Sequence, residues 1–181
     1  DADGNGYASD LYGYNFVTDR GLITYNEGSD TGHGTHVAGT IAAVNNNCTG
    51  VCGVAGGNGS ANSGVRIMSC QIFAGSRGVS MYQEAKAIKY AADNGAVILQ
   101  CSWGFNSGLS NPLMYMPGFV SDEEWVSGAP LEKEALDYFI HNAGSPNGVI
   151  EGGIVVFAGG NESAAMAGYP GAYPDYISVA S

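Results

Sequence analysis

Val65-Arg66-Ile67-Met68-Ser69-Cys70-Gln71-Ile72-Phe73 leads through Met81 to Asn94 into Ala96-Val97-Ile98-Leu99-Gln100-Cys101. The first run lies between Gly64 and Gly75 and has the length and apolar content of a strand. In the second, Ala85, Ile88 and Ala92 recur at helical spacing, Glu84, Lys86, Lys89 and Asp93 fall elsewhere, and Gly95 ends the helix. The third is a continuous apolar run, as expected of a strand covered on both faces. Strand, helix and strand in that order predict a βαβ unit and a parallel sheet.

The pattern extends in both directions. Toward the C-terminus, Leu131 to Ala143 places Leu136, Phe139, Ile140 and Ala143 on one face, with Pro130 at its start and Gly144 at its stop. Gly153-Ile154-Val155-Val156-Phe157-Ala158 and Tyr176 to Ala180 read as further buried strands, and residues 104 to 130 as a long loop rich in Gly, Pro, Ser and aromatics. Toward the N-terminus, Tyr12 to Val17 alternates as a short strand, and the small and apolar residues from Gly34 to Val44 predict a helix buried on most sides. The fold class expected is α/β, a parallel sheet with helices on both faces. In such sheets ligands bind at the carboxyl ends of the strands. Polar and Gly residues gather there, in Ser102-Trp103-Gly104 and in Gly159-Gly160-Asn161-Glu162.

Composition narrows the function. The 181 residues hold 17 acidic and 6 basic side chains, a formal net charge of −11, which argues against nucleic acid and anionic membrane surfaces. Apolar residues at 45% and charged ones at 13% are those of a globular chain. No apolar run reaches the roughly 18 residues of a membrane span. Cys48 and Cys52 stand four apart in a Gly/Asn-rich loop, and Cys70 and Cys101 lie in apolar runs. That spacing is neither a zinc pair nor a disulfide scaffold. Buried free thiols are expected, with a Cys48–Cys52 bridge in an exported protein as the alternative. A chain that starts at a polar Asp and stops at Ser181, directly after a strand, reads as a piece of a larger protein.

The sharpest local feature is Gly32-His33-Gly34-Thr35-His36-Val37-Ala38-Gly39-Thr40. A His between two glycines opens a helix of small residues, so another backbone can approach the imidazole closely. The helix macrodipole at that end disfavours imidazolium, which suits a base.

This run resembles the histidine motif of the subtilases, the subtilisin-like serine peptidases. Val51-Cys52-Gly53-Val54-Ala55, Ser102-Trp103-Gly104, Gly153 to Glu162 and Tyr169-Pro170-Gly171-Ala172-Tyr173-Pro174 resemble further family segments in the same order. The resemblance implies a three-layer fold, incomplete at both ends, with residues 1–181 part of one catalytic domain. The strand bearing the triad Asp would precede residue 1, and the helix bearing the serine would follow residue 181. It implies peptide-bond hydrolysis by an Asp-His-Ser triad, with His33 as the general base and Asn161 as a side-chain donor to the oxyanion. Ser102, Trp103 and Gly104 would pair with the substrate backbone as an added strand. Ala158, Gly159 and Gly160 would wall the pocket for the residue before the scissile bond. A protein or peptide substrate, no cofactor for catalysis, and a secreted, periplasmic or cell-surface location follow from the same resemblance. The alternative is a subtilase-like module that binds peptides or partners without cleaving them.

Three departures qualify it. No G-T-S occurs, and the only D-T-G, Asp30-Thr31-Gly32, sits three residues before His33, ahead of its helix, where it is not expected to be the triad Asp. An aspartic-peptidase reading of that D-T-G fails because such a fold is all-β. Residues 105 to 130 exceed what subtilisins place there, so a loop rimming the cleft is expected. Finally, Asp1-Ala2-Asp3-Gly4-Asn5-Gly6 copies the front of a calcium loop, with Tyr12 in place of the bidentate Glu. Asp1, Asp3, Asn5 and Asp10 are the candidate ligands of a structural calcium. In subtilases the triad-Asp strand lies between those matching Val65–Phe73 and Val97–Cys101. Its absence predicts a second chain completing the sheet, direct pairing of the flanking strands with Cys70 near Cys101, or association.

Overall fold

The computed structural model describes residues 3–25, 32–75, 77–144, 148 and 150–180. It divides into two units, Asp1–Gln83 and Glu84–Ser181.

In the first unit β1 (Gly13–Asn15) pairs in parallel with β2 (Ser69–Gln71), Tyr14 opposite Cys70. Gly13 has φ 125°, and a Cβ there would run into the Ser69 backbone, so only Gly fits this ladder. Tyr7, Tyr14 and Phe16 pack edge to face with ring centroids 4.8–5.9 Å apart. Fully buried Asn15 satisfies the turn that follows: Oδ1 accepts from the Val17 and Thr18 amides, and Nδ2 donates to the Leu22 carbonyl. A short hairpin, β3 (Phe73–Ala74) with β4 (Arg77–Gly78), follows β2.

The helix α1 spans His33–Ala42. Its last carbonyls are taken up by the Val51–Ala55 segment: the Gly53, Val54 and Ala55 amides donate to Ala43, Thr40 and Ile41 at 2.8–2.9 Å. A Cβ on Gly53 would fall 2.5–2.8 Å from that backbone, so the small residue is what lets the strap close. The helix was expected to be buried on most sides; it has no buried residue. A Cβ added at Gly34 or Gly39 meets nothing within 4 Å, so its small-residue faces are open.

The helix α2 (Met81–Asp93) carries the chain into the second unit and buries Ala87, Ile88, Tyr90, Ala91 and Ala92. Ser80 and Gln83 form a reciprocal capping box at its start, the Gln83 amide donating to Ser80 Oγ and the Ser80 amide to Gln83 Oε1. The second unit holds a three-stranded parallel sheet in the order β5 (Ile98–Cys101), β6 (Ile154–Ala158), β7 (Ile177–Val179). Two helices come between β5 and β6: α3 (Asp122–Gly128) and α4 (Pro130–Asn142), the latter packed on β6.

Two expectations need correction. These strands were read as covered on both faces. Val155 and Phe157 are buried, but Ile98, Ile177 and Val179 are each more than half exposed, so one face of the sheet is bare and apolar. Residues 104 to 130 were read as loop throughout. Ser121 instead caps α3, accepting from the Glu124 amide, and the acidic Asp122-Glu123-Glu124 forms its first turn, where the helix dipole favours negative charge.

The described ladder partner of β2 is β1, and that of β5 is β6. The four cysteines are free: Cys48 and Cys52 are exposed, Cys70 is half-buried and Cys101 is buried.

Candidate active site

His33 is the first residue of α1, after Gly32 in the left-handed conformation at φ 69°. It is exposed, and the His36 amide closes the first helical turn on the Gly32 carbonyl at 2.9 Å. Asp30 and Thr31 lie outside the described residues.

The other candidates belong to the second unit, and one feature of the sheet collects them. Because β5 and β6 are parallel and in register, with Cys101 opposite Phe157, their continuations leave the same end side by side. Ser102-Trp103-Gly104 and Ala158-Gly159-Gly160-Asn161 therefore emerge as neighbours at the carboxyl edge, the position where open α/β sheets bind ligands. Ser102 Oγ accepts from Gln100 Nε2 at 2.8 Å, and Trp103 stands edge-on to Phe157 at 5.3 Å. Gly104 passes close to the Tyr169 carbonyl, 3.0 Å from where its Cβ would be. The Gly159 amide donates to Val179 O at 2.8 Å, which ties the pocket wall to β7. Gly160 has φ 103°, a turn that favours Gly and delivers Asn161 past the strand end. The Asn161 side chain is exposed and makes no hydrogen bond among the described residues.

Sequence reasoning missed what lies beneath this edge. Trp125 is fully buried, stacks on Tyr169 at 5.6 Å, and donates from Nε1 to Glu132 Oε2 at 2.9 Å. Glu84 lies beside Glu132, with Oε1 buried and lacking a donor. Burial raises both carboxyls. Glu132 has the indole N–H to stabilise its charge, so the proton stays on Glu84, pushed up to about 9 by burial first and by the Glu132 charge second. Tyr169, held by Asp122, is likewise pushed up to about 12, first by burial and then by that hydrogen bond.

The buried pair has a measurable consequence. The native state holds the Glu84 proton up to about pH 9, whereas an unfolded glutamate releases it near 4.5. Between those values the unfolded state binds fewer protons, so stability falls as pH rises, by up to about 1.4 kcal/mol per pH unit. Glu84→Gln keeps a donor toward Glu132 without the titration. Thermal melts of this variant at pH 5 and pH 8 are expected to lie closer together than those of the wild type, with the gain at pH 8. An unchanged pH dependence contradicts the shared proton.

With this geometry in place, comparison with known proteins defines the class. The Subtilase family model, peptidase S8, matches residues 5–181. The chain belongs to the Subtilase family, and its parallel sheets and helices are part of that family's three-layer α/β fold. It is 32% identical over 153 residues to thermitase of Thermoactinomyces vulgaris, covering 83% of this chain and 41% of thermitase. It is 34% identical over 178 residues to fervidolysin of Fervidobacterium pennivorans, covering 94% of this chain and 20% of fervidolysin. A halolysin-like extracellular serine protease, Nep of Natrialba magadii, is 37% identical over 100 residues, 55% of this chain and 17% of Nep. The chain thus spans well under two thirds of the length of each of these relatives.

Proposed function

We propose that this chain is part of the catalytic domain of a serine endopeptidase, in which His33 is the general base and Asn161 donates to the oxyanion. The observation that carries the reading is the shared edge of β5 and β6, which presents a peptide-pairing segment, Ser102–Gly104, beside a glycine-walled turn ending in an exposed Asn amide. A substrate strand added along Ser102–Gly104 would be read through its backbone. Its scissile carbonyl would then face Ala158–Gly160, with the Asn161 amide within reach of the developing charge. His33 would take the proton of a serine supplied from outside these residues and return it to the leaving amine. The substrates are peptides or proteins. An exported protein, secreted, periplasmic or at the cell surface, fits the extracellular relative and the acidic balance. No described helix is long and apolar enough to cross a membrane.

The reading has a direct test. The 181-residue chain has no G-T-S serine, and its one D-T-G abuts His33. Alone it is expected to leave peptides intact, whereas the full-length protein hydrolyses them and is inactivated by a serine-directed sulfonyl fluoride. Turnover by the chain alone that His33→Ala removes, or full-length turnover indifferent to the reagent, contradicts it. A further strand, from the same protein or from a second chain, is proposed to complete the sheet.

The N-terminal loop is proposed to hold a structural calcium. Asp3 Oδ1 accepts from the Asn5 amide, Asn5 Oδ1 accepts from the Tyr7 amide at 2.8 Å, and Asn5 Nδ2 donates to Asp10 Oδ2 at 2.8 Å. Asn5 thus bonds to both Asp3 and Asp10. Among the described residues no three His, Cys, Asp or Glu are placed to hold a metal, and the fourth candidate ligand, Asp1, lies outside the described residues. Calcium is expected to raise the melting temperature of the protein, and Asp3→Ala to abolish the rise. An identical melt with calcium and with chelator leaves a hydrated acidic turn.

A further inference from the structure

We infer that Tyr169 and Asp122 are positioning residues for the substrate-pairing segment Ser102–Gly104, through a clamp built by the segment 105–130. The inference rests on the peptidase reading above and names what gives that site its reach along the substrate.

The segment does not end freely. The Phe105 amide donates to the Tyr169 carbonyl at 2.7 Å, and Gly104 packs against the same oxygen. The backbone of Tyr169 therefore fixes where Ser102–Gly104 points. Tyr169 in turn is held through its side chain by the returning limb of the segment 105–130. Its hydroxyl donates to Asp122 Oδ1 at 2.6 Å, across 47 residues of sequence, and its ring stacks on Trp125 with 22° between the planes. Phe119 stands edge-on to both Phe105, at 4.9 Å, and Tyr169, at 6.4 Å. The segment 105–130 thus leaves the site at Phe105 and comes back at Asp122 to grip the residue that grips Phe105. Tyr169 is only 4% exposed as a residue, its ring buried against Trp125 and its hydroxyl on the part-buried Asp122 bond. A hydrogen bond to a carboxylate is about twice as strong as a neutral one. Without it the Tyr169 backbone, and the segment bonded to it, has more positions to visit.

Substrates separate this role from a general effect on folding. A four-residue peptide anilide has backbone to pair with Ser102–Gly104. A one-residue N-acyl ester does not. In the full-length protein, Tyr169→Phe and Asp122→Ala are expected to raise KM for the anilide about tenfold and leave kinetics on the ester unchanged. Asp122→Asn keeps a neutral acceptor for the hydroxyl and is expected to recover part of the KM for the anilide, between Asp122→Ala and the wild type. Equal losses on both substrates, no change on either, or failure of Asp122→Asn to differ from Asp122→Ala overturns the clamp while leaving the peptidase reading intact. A wild-type protein that cleaves neither substrate overturns the peptidase reading, and the clamp falls with it.

Discussion

His33→Ala in the full-length protein is expected to lower kcat for peptide hydrolysis by about 10⁴-fold or more, with KM little changed. The imidazole is the only group in the proposed site that can take the serine proton and return it to the leaving amine. Its loss removes an interaction made in the transition state, so kcat and kcat/KM fall together. Asn161→Ala falls less, by about 10²–10³, the size of the loss known for an oxyanion-hole asparagine within this family. The order of the two effects is as informative as their size, because a base takes part in making and breaking bonds and an amide donor only stabilises charge. Steady-state kinetics on one peptide substrate checks both. A fall of less than tenfold for His33→Ala removes it from the chemistry.

Trp125→Ala is expected to have the largest effect on stability. The side chain is fully buried, and besides stacking on Tyr169 it touches Tyr173 at 5.1 Å and Tyr176 at 6.0 Å between ring centroids. Truncating a buried Trp costs about 3–5 kcal/mol. Glu132 would also lose the indole N–H and keep only the Glu84 donor, and a buried hydrogen bond lost adds about 1 kcal/mol. Together these approach the whole stability of an ordinary domain, about 5–15 kcal/mol. Denaturant unfolding of the full-length protein should therefore show the transition lost or moved far down for Trp125→Ala. Trp125→Phe, which keeps a ring but not the N–H, should fall between the two. A wild-type midpoint for Trp125→Ala would mean that the cluster does not hold the segment 105–130.

The elements that were legible in the sequence are those whose periodicity is local. α2, α4 and β6 lie within a residue or two of their expected bounds because Gly95, Pro130, Gly144 and Gly153 punctuate them. The helix α3 was missed although Ser121 and Glu124 have the spacing of a capping box; the surrounding Gly and Pro masked it. Burial was harder to read. The small residues of α1 and the apolar runs of β5 to β7 say that neighbours are intended, but whether a neighbour is present depends on chain elsewhere. The site divides in the same way. Ser102 to Gly104 and Ala158 to Asn161 were found as motifs at strand ends. The Glu84–Glu132–Trp125 cluster and the Tyr169–Asp122 bond were not, since each joins residues that only packing brings together.

If His33 and Asn161 supply the base and the oxyanion donor of a serine peptidase, the serine they serve is activated even without a peptide bound. Reaction of the full-length protein with a fluorophosphonate probe tests it most directly, because the probe needs an activated serine and an oxyanion hole but no cleavable peptide. Covalent labelling of the wild type is expected, slowed for Asn161→Ala, and absent for His33→Ala and for the 181-residue chain alone. Wild-type labelling that persists undiminished in His33→Ala, or a folded full-length protein that never labels, would contradict it.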